Sequence, residues 1–226
     1  MILLDIEGTT TPIAFVTDTL FPYARAHLPA YLREHGSSIE CTRAVARLHA
    51  EYEAERHAGA ELPPWSVMSY VEWLMDRDRK STALKELQGR VWEAGYQRGE
   101  LVGAVFPDVP PALERWRAAG VPVGIFSSGS VLAQRLLFGR SSAGDLTRFL
   151  THYFDTTTGA KQDPVSYARI AETVDLPPGG VTFVSDVVGE LDAARMAGMR
   201  TILSDRPGNA PPPPHDHRVV TSFDEL

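Results

Sequence analysis

The stretch MILLDIEGTTTP, residues 1–12, decides the fold of this chain. Ile2, Leu3 and Leu4 form a short apolar run that ends at Asp5, which is the pattern of a buried parallel strand with an acid at its carboxyl end. In open α/β sheets, ligands bind in the crevice outside the carboxyl ends of the strands. The position of Asp5 therefore favours a catalytic role. Taken alone, however, this stretch is explained equally well by an acid that only caps a turn.

The residues after Asp5 are predicted to turn the chain out of the sheet. Side chains alternate along an extended segment, so Asp5 and Glu7 face one crevice while Ile6 points into the core. Gly8 and the three threonines after it have the composition of a turn, and Pro12 argues against an immediate helix. The sequence thus places two carboxylates in the same crevice.

The composition is that of a globular protein. The chain has 226 residues, 43% of them hydrophobic, which suffices for one large domain or for a core with a smaller insert. Its formal net charge of −7 argues against a nucleic-acid binder, because phosphate backbones require clustered Lys and Arg. The single cysteine, Cys41, cannot form an internal disulfide and is expected to be buried or idle. Because we find neither a signal-peptide pattern nor a membrane-spanning run, we expect a cytoplasmic protein without membrane partners. We also expect a monomer.

Residues 15–102 are predicted to form an all-helical insert. Apolar residues recur at three- and four-residue spacing in four segments, 19–34, 40–58, 65–79 and 82–98, with breaks at 35–38, 59–64 and 80–81. We expect an antiparallel bundle with Trp65, Tyr70 and Trp73 in its core. Since the insert follows the strand that carries Asp5, it is expected to be a cap that can close over the crevice.

The remaining residues, 1–14 and 103–226, are predicted to form the main domain. After a Gly- and Pro-rich linker at 101–111, predicted strands alternate with predicted helices. The strands are 121–126, 153–155, 181–185, 201–203 and 219–220, and the helices are 112–119, 131–138, 164–174 and 190–197. Alternation of this kind predicts right-handed βαβ units and a parallel sheet covered on both faces. The predicted fold class is therefore α/β, a doubly wound Rossmann-like core with an inserted helical cap.

Polar side chains follow the predicted strands where those strands end. Ser127 and Ser128 follow one strand, Lys161 lies in a loop after the next, and Asp186 follows a third. With Asp5 they make up the set that phosphoryl transfer through an aspartyl-phosphate requires. Taken singly, the serines and Asp186 could be helix caps and Lys161 a solvated loop lysine.

The chemistry suggests a role for each of these groups. Asp5 would attack phosphorus, and Asp186 would hold Mg²⁺ beside it. Ser127 and nearby N–H groups at a helix N-terminus would bind phosphate oxygens, and Lys161 would neutralise charge. Glu7 would protonate the leaving oxygen and later deprotonate water. A further pair, His215 and His217 in PPPPHDH, lacks additional ligands and is expected to lie in a solvated loop.

Five stretches resemble the haloacid dehalogenase superfamily of phosphatases and, within it, the enolase-phosphatase family of the methionine salvage pathway. They are DIEGTTTPIAFVTDTLFPYA at 5–24, LKELQGRVWEAGYQRGEL at 84–101, SSGSVLAQRLLFG at 127–139, YFDTTTGAK at 153–161 and SDVVGELDAARMAG at 185–198. Most of the superfamily has a second Asp where this chain has Glu7, and Glu at this position is typical of the enolase-phosphatases.

The resemblance implies a bifunctional enzyme. Such an enzyme enolises 2,3-diketo-5-methylthiopentyl-1-phosphate and then removes its phosphate, giving the acireductone 1,2-dihydroxy-3-keto-5-methylthiopentene. The resemblance also implies one Mg²⁺ per subunit, met by the main-chain carbonyl of Glu7. The residues it implies are Asp5, Glu7 and Asp186 at the metal, Ser127, Ser128 and Lys161 at the substrate, and Asp5, Glu7 and Lys161 in catalysis.

Two other functions fit the same residues. A phosphatase of the same superfamily that acts on another small phosphate ester would cleave simple phosphomonoesters and would never produce an enol. A phospho-accepting, receiver-like module also pairs a strand-end Asp with a hydroxyl and a Lys, but the large insert and Glu7 argue against it. The base that removes the proton in enolisation is left open, and Glu7 is our hypothesis because none of the five stretches contains a histidine.

Overall fold

The computed structural model describes residues 1–77, 79 and 81–226. The described chain forms two compact units, Met1–Asp18 with Leu101–Leu226 and Thr19–Glu100. The boundaries predicted at 14–15 and 102–103 lie close to these. Phe15 falls in the first unit, where it packs against the core of the sheet.

The first unit is built on a parallel sheet of six strands among the described residues, in the order β3-β2-β1-β4-β5-β6. The strands are β1 (Ile2–Leu4), β2 (Val123–Phe126), β3 (His152–Phe154), β4 (Thr182–Ser185), β5 (Arg200–Ser204) and β6 (Arg218–Val220). Every neighbouring pair is parallel. This order is that of a doubly wound fold, so the predicted fold class is confirmed.

Helices cover both faces of this sheet. They are α6 (Val109–Ala118), α7 (Val131–Gly139), α8 (Pro164–Thr173) and α9 (Val188–Met196). Leu4 and Ile125 pack with α6 and α7 in one core, whereas Leu3 and Phe126 pack with α8 and α9 in a second. Successive strand residues point to opposite faces, and both faces are buried, which explains the continuous apolar runs in the sequence.

The chain changes direction across the sheet beside β1. Leu4 is opposite Ile125 of β2 and also opposite Val184 of β4. The chain runs outward from β1 to β3 and returns to β4 on the other side of β1. Asp5 and Asp186, which directly follow β1 and β4, therefore lie at adjacent strand ends, where a doubly wound sheet leaves its ligand crevice.

Two helices begin nearer to prolines than the sequence predicts. Helix α1 (Ile13–Phe15) starts directly after Pro12 and continues into a π-helical turn, Val16–Leu20. The expectation that Pro12 disfavours an immediate helix is wrong, because proline restricts the residue before it and not the one after. Likewise α6 starts at Val109, since prolines fit in a first helical turn, where no intrahelical N–H bond is lost.

The described part of the second unit has helices as its regular structure. They are α2 (Phe21–His35), α3 (Ile39–His57), α4 (Val67–Asp76) and α5 (Thr82–Gln97). Ser38, Ser66 and Ser81 cap three of them by accepting a main-chain N–H three residues later. Asp78, in the predicted helix 65–79, and Lys80, in the predicted break 80–81, lie outside the described residues. No helix in the described chain is both long and apolar enough to cross a bilayer.

The burial of some side chains differs from what the sequence predicts. Tyr70 and Cys41 are buried, as predicted, but Trp65 is 36% exposed and lies at the rim of the aromatic cluster. The expectation of a solvated loop is wrong for His217, which is buried. Its ring nitrogens are hydrogen-bonded to Thr201 Oγ1 at 2.8 Å and Asp192 Oδ1 at 3.1 Å, so the ring is satisfied inside the protein.

Candidate active site

A cavity of about 140 Å³ lies at the carboxyl ends of the central strands. Six of its lining residues are those singled out from the sequence, namely Asp5, Glu7, Ser127, Ser128, Lys161 and Asp186. Three more lining residues, Ile13, Val187 and Glu190, are not in the predicted set. The sheet thus brings four distant segments of the chain to one place.

Asp5 is held in a single orientation by its neighbours. Its Oδ1 accepts the N–H of Ile6 at 2.7 Å and lies 2.6 Å from Nζ of Lys161. Its Oδ2 accepts the hydroxyl of Ser185 at 3.2 Å. The main-chain N–H of Asp5 donates to Val184 at 2.9 Å, which extends the pairing of β1 with β4 by one residue. This carboxylate is therefore preorganised beside the cavity.

Lys161 lies between two carboxylates. Its Nζ is 2.6 Å from Oδ1 of Asp5 and 2.6 Å from Oε2 of Glu190, and all three side chains are almost fully buried. Burial by itself would lower the pKa of Lys161, but the charges of Asp5 and Glu190 outweigh it and raise this pKa. Lys161 is thus a permanent positive charge beside Asp5, not a solvated loop lysine.

Glu190 is the residue that sequence reasoning missed. It lies in the first turn of α9, and besides Lys161 it contacts Ser185, whose hydroxyl is 3.0 Å from its Oε2. The pKa of Glu190 is raised mainly by burial and secondly by the charge of Asp5. The signal was present in SDVVGE, where an acid starts the helix that follows a strand-end acid, so both face the same edge of the sheet.

Glu7 and Asp186 line the acidic side of the cavity. Glu7 is exposed and Asp186 is half-buried. Burial and the charge of Asp5, with a smaller contribution from Glu7, raise the pKa of Asp186 to about 7. Burial is the largest cause of this rise, and repulsion from the carboxylate of Asp5 is the second. A hard cation would relieve this repulsion, and oxygen atoms are the ligands it prefers.

The protein supplies only part of a metal shell. Across residues 1–77, 79 and 81–226, no three side chains of His, Cys, Asp and Glu form a group that could hold an ion. Asp5 and Asp186 nevertheless offer carboxylate oxygens at adjacent strand ends. These donors fit an ion such as Mg²⁺, which usually takes one or two carboxylates and completes its shell with other oxygens. The metal roles of Asp5, Glu7 and Asp186 stay predictions.

The serines lie at the N-terminal end of α7. Ser127 is buried, and its Oγ accepts the N–H of Gly129 at 3.1 Å. At the start of α7, Asp155 accepts the N–H of Val131 at 3.1 Å and Ser130 accepts that of Ala133 at 3.3 Å. The N–H groups of Gly129, Val131 and Ala133 thus have partners inside the protein, and the binding of phosphate by other main-chain N–H groups near Ser127 stays a prediction. The hydroxyl of Ser127 can still donate its proton and is a candidate for an anion contact.

A tight turn follows Asp5. The main-chain N–H groups of Thr9, Thr10 and Thr11 all donate to the carbonyl of Ile6, at 3.2, 2.9 and 2.9 Å. Gly8 in this turn has φ +65°, and a Cβ on it would lie 2.3 Å from Oδ2 of Asp186. Only glycine allows both the backbone conformation and the close approach. The turn therefore brings the chain after Asp5 directly against the second strand-end acid.

Comparisons with known proteins identify relatives over the whole chain. Residues 1–198 match the family of haloacid dehalogenase-like hydrolases. The chain is 51% identical to Enolase-phosphatase E1 of Synechococcus elongatus and 47% identical to that of Pseudomonas aeruginosa, covering 100% of this chain and 96% of each relative. Among solved structures, the UTR4 protein of Saccharomyces cerevisiae has a TM-score of 0.81 at 34% identity, over 100% of this chain and 99% of that one.

Proposed function

This chain belongs to the enolase-phosphatase family of haloacid dehalogenase-like hydrolases, and we propose that it converts 2,3-diketo-5-methylthiopentyl-1-phosphate to the acireductone and phosphate. The observation that carries the proposal is the 2.6 Å contact of Asp5 with Lys161 in a cavity that Glu7 and Asp186 also line. A nucleophile, a cation and an acid-base group are thus within one small space. We further propose a monomer and a cytoplasmic location.

Phosphoryl transfer begins at Asp5. Its carboxylate forms a bond to phosphorus while the ester P–O bond breaks, and the electron pair of that bond goes to the leaving oxygen. Glu7, in its protonated form, gives this oxygen a proton. Lys161 neutralises charge on Asp5 and on the phosphoryl oxygens, to which Ser127 and Ser128 donate hydrogen bonds.

Hydrolysis of the aspartyl-phosphate reverses the role of Glu7. A water molecule forms a bond to phosphorus and loses a proton to the Glu7 carboxylate, while the bond from phosphorus to Asp5 breaks. Phosphate leaves, Asp5 is again a carboxylate and Glu7 is again protonated. Its exposure suits Glu7 for this task, because a general base must be able to reach water.

Enolisation needs only the movement of protons. A base takes a proton from the carbon beside a carbonyl, and the carbonyl oxygen gains one from water, so the substrate neither gains nor loses atoms. We assign the base to Glu7, since the described residues that line the cavity include no histidine. Asp5, Asp186 and the main-chain carbonyl of Glu7 would hold one Mg²⁺, which supplies positive charge to the carbonyl and phosphate oxygens when bound.

The test follows enol formation and phosphate release separately, in the full chain with Mg²⁺ and the diketo phosphate. We expect both signals from the natural protein. Asp5→Asn should lower phosphate release by about 10⁴-fold or more, since a nucleophile cannot be replaced by an amide. Glu7→Gln should lower both enol formation, read by ultraviolet absorbance, and phosphate release.

Other results would contradict parts of the proposal. Full turnover by Asp5→Asn would contradict an aspartyl-phosphate intermediate on Asp5. Normal enol formation by Glu7→Gln would contradict the assignment of Glu7 as the enolisation base. Rapid cleavage of simple phosphomonoesters with no enol signal would indicate a phosphatase of another ester, and phospho-Asp5 that lasts for minutes would indicate a receiver-like module.

A further inference from the structure

The turn after Asp5 is held from outside by residues 204–209, which begin at the last residue of β5. The carbonyl of Gly8 accepts Nδ2 of Asn209 at 2.9 Å and the hydroxyl of Ser204 at 3.4 Å. The next carbonyl, that of Thr9, accepts Nε of Arg206 at 3.2 Å. A segment about two hundred residues away in sequence thus satisfies the outward carbonyls of the turn.

Asn209 is the most closely fitted member of this segment. Its Nδ2 donates to Gly8 and, at 3.2 Å, to the carbonyl of Ser204, so both amide protons are used. If the amide were turned over, Oδ1 would face two carbonyl oxygens, so these partners fix its orientation. In the described structure, Oδ1 is buried without a hydrogen-bond partner, which costs free energy. The structural role of the Asn209 side chain therefore lies in its N–H groups.

The contact with Asn209 bears on the position of Glu7. The N–H of Gly8 donates to Thr11 at 2.9 Å, and the carbonyl of Gly8 accepts from Asn209. These two bonds fix the peptide planes on both sides of Gly8, and the first plane carries the carbonyl of Glu7. A Cβ on Gly8 would meet Oδ2 of Asp186 at 2.3 Å and Oδ1 of Asn209 at 2.9 Å. Gly8 is thus packed between these two residues, and its displacement would move Glu7 relative to Asp186.

Arg206 and Asn209 differ in what else they hold. Arg206 is buried and forms an ion pair with Asp108 at 2.7 Å, so its loss would disturb the fold itself. Asn209 lies between two exposed residues, Gly208 and Ala210, and within the described part of the chain its side-chain hydrogen bonds go to the turn and to Ser204. Its loss should therefore affect the turn more than the global stability.

We propose that Asn209 is a positioning residue for the acid-base carboxylate, a role that rests on the function proposed above for Glu7. By holding the carbonyl of Gly8, it keeps Glu7 where it can protonate the leaving oxygen. The sequence gives no hint of this, since Asn209 lies in a loop, RPGNAPPPP, that reads as a linker.

The test is a double-mutant cycle in the full chain with Mg²⁺ and the diketo phosphate. Asn209→Ala should lower kcat for phosphate release by about 10- to 100-fold, because a small misplacement of a catalytic group has effects of this size. KM should stay within about twofold, since Asn209 does not line the cavity. Added to Glu7→Gln, Asn209→Ala should cause no further loss, because it acts through Glu7.

A second readout uses the leaving group. Formation of the aspartyl-phosphate from 4-nitrophenyl phosphate needs little protonation of the leaving oxygen, so kcat/KM for this ester should fall much less than for the diketo phosphate. Asp205→Ala, an exposed residue of the same segment, is the matched control and should resemble the natural protein on both substrates.

The opposite results overturn the proposal. These are equal losses on both substrates, losses that add to those of Glu7→Gln, or no loss at all. Should Asn209→Ala not fold, Asn209→Asp keeps the size of the side chain and replaces its donor with an acceptor, and the same comparison applies. If Glu7→Gln loses activity and the Asn209 variants do not, only this inference fails. Full activity of Asp5→Asn would instead mean that the proposed function fails.

Discussion

At the scale of the residue, Lys161 supplies the counter-charge for two buried carboxylates. It contacts both Asp5 and Glu190 at 2.6 Å. Lys161→Met should lower kcat/KM for phosphate release by about 10²- to 10³-fold, the size expected on loss of one preorganised charge. It should also lower the free energy of unfolding by about 3 to 5 kcal/mol, because two buried acids lose their counter-charge. Phosphate release and urea denaturation measure the two effects.

The double variant Lys161→Met/Glu190→Gln separates these effects. Removing the second acid should restore part of the stability without restoring activity, since the charge beside Asp5 is still missing. Arg25→Met is the control, because the pair of Arg25 with Asp76 is about half exposed and should contribute less than about 1 kcal/mol. If Lys161→Met were as stable as the natural protein, the three buried groups would not be electrostatically coupled.

At the scale of the element, the turn after β1 needs glycine at position 8. Gly8→Ala combines a left-handed backbone, φ +65°, with a Cβ that would lie 2.3 Å from Oδ2 of Asp186. We expect a loss of stability of about 1 to 2 kcal/mol from the backbone, and a loss of activity of about 10²-fold or more, because Asp186 must move. Steady-state kinetics and thermal unfolding test this.

Gly120→Ala is the matched control for the turn. Gly120 has a similar φ of +69°, but a Cβ on it would meet no atom within 4 Å. This variant should lose a similar amount of stability while its kinetics stay unchanged. If the two variants had the same activity, the contact of Gly8 with Asp186 would not matter for catalysis.

At the scale of the whole molecule, a buried ion pair joins the C-terminal residues to the start of α6. Arg206 contacts Asp108 at 2.7 Å, and Asp108 also accepts the N–H of Phe223 at 2.6 Å. Burial alone would raise the pKa of Asp108, but the Phe223 N–H and the Arg206 guanidinium outweigh it and lower this pKa. The folded state thus prefers charged Asp108, and its contribution to stability is present above the unfolded pKa and lost as pH falls through the folded one.

Asp108→Asn should therefore show its effect as a function of pH. At pH 7 we expect the free energy of unfolding to fall by about 3 kcal/mol, because Arg206 loses its buried partner. Below about pH 4 the difference from the natural protein should shrink progressively, because Asp108 is protonated first in the unfolded chain and, at still lower pH, in the folded protein. Urea denaturation between pH 3 and 7 measures this difference. Asp216→Asn is the control, because Asp216 forms an exposed ion pair with Arg195. A difference that stayed constant with pH would contradict the assignment.

The sequence by itself determined the elements and the family. The central strands are short apolar runs and the longer helices carry apolar residues at three- and four-residue spacing, because a residue's neighbours in the chain decide these patterns. The ends of strands and the polar residues that follow them are local features too. Asp5, Ser127 and Asp186 could therefore be found without coordinates, and the parallel sheet that unites them follows from alternating strands and helices.

The tertiary structure alone decided which groups touch. Lys161 and Glu190 are buried against Asp5, His217 is buried rather than solvated, and Asn209 reaches back to Gly8. The sequence marks Lys161 and the acid of SDVVGE as candidates, but it does not show which groups they contact, because each contact joins residues that are separated by tens to hundreds of positions and meet only when the chain folds. A loop's composition predicts that it is a loop, but the place where its side chains end depends on the register and packing of the whole sheet.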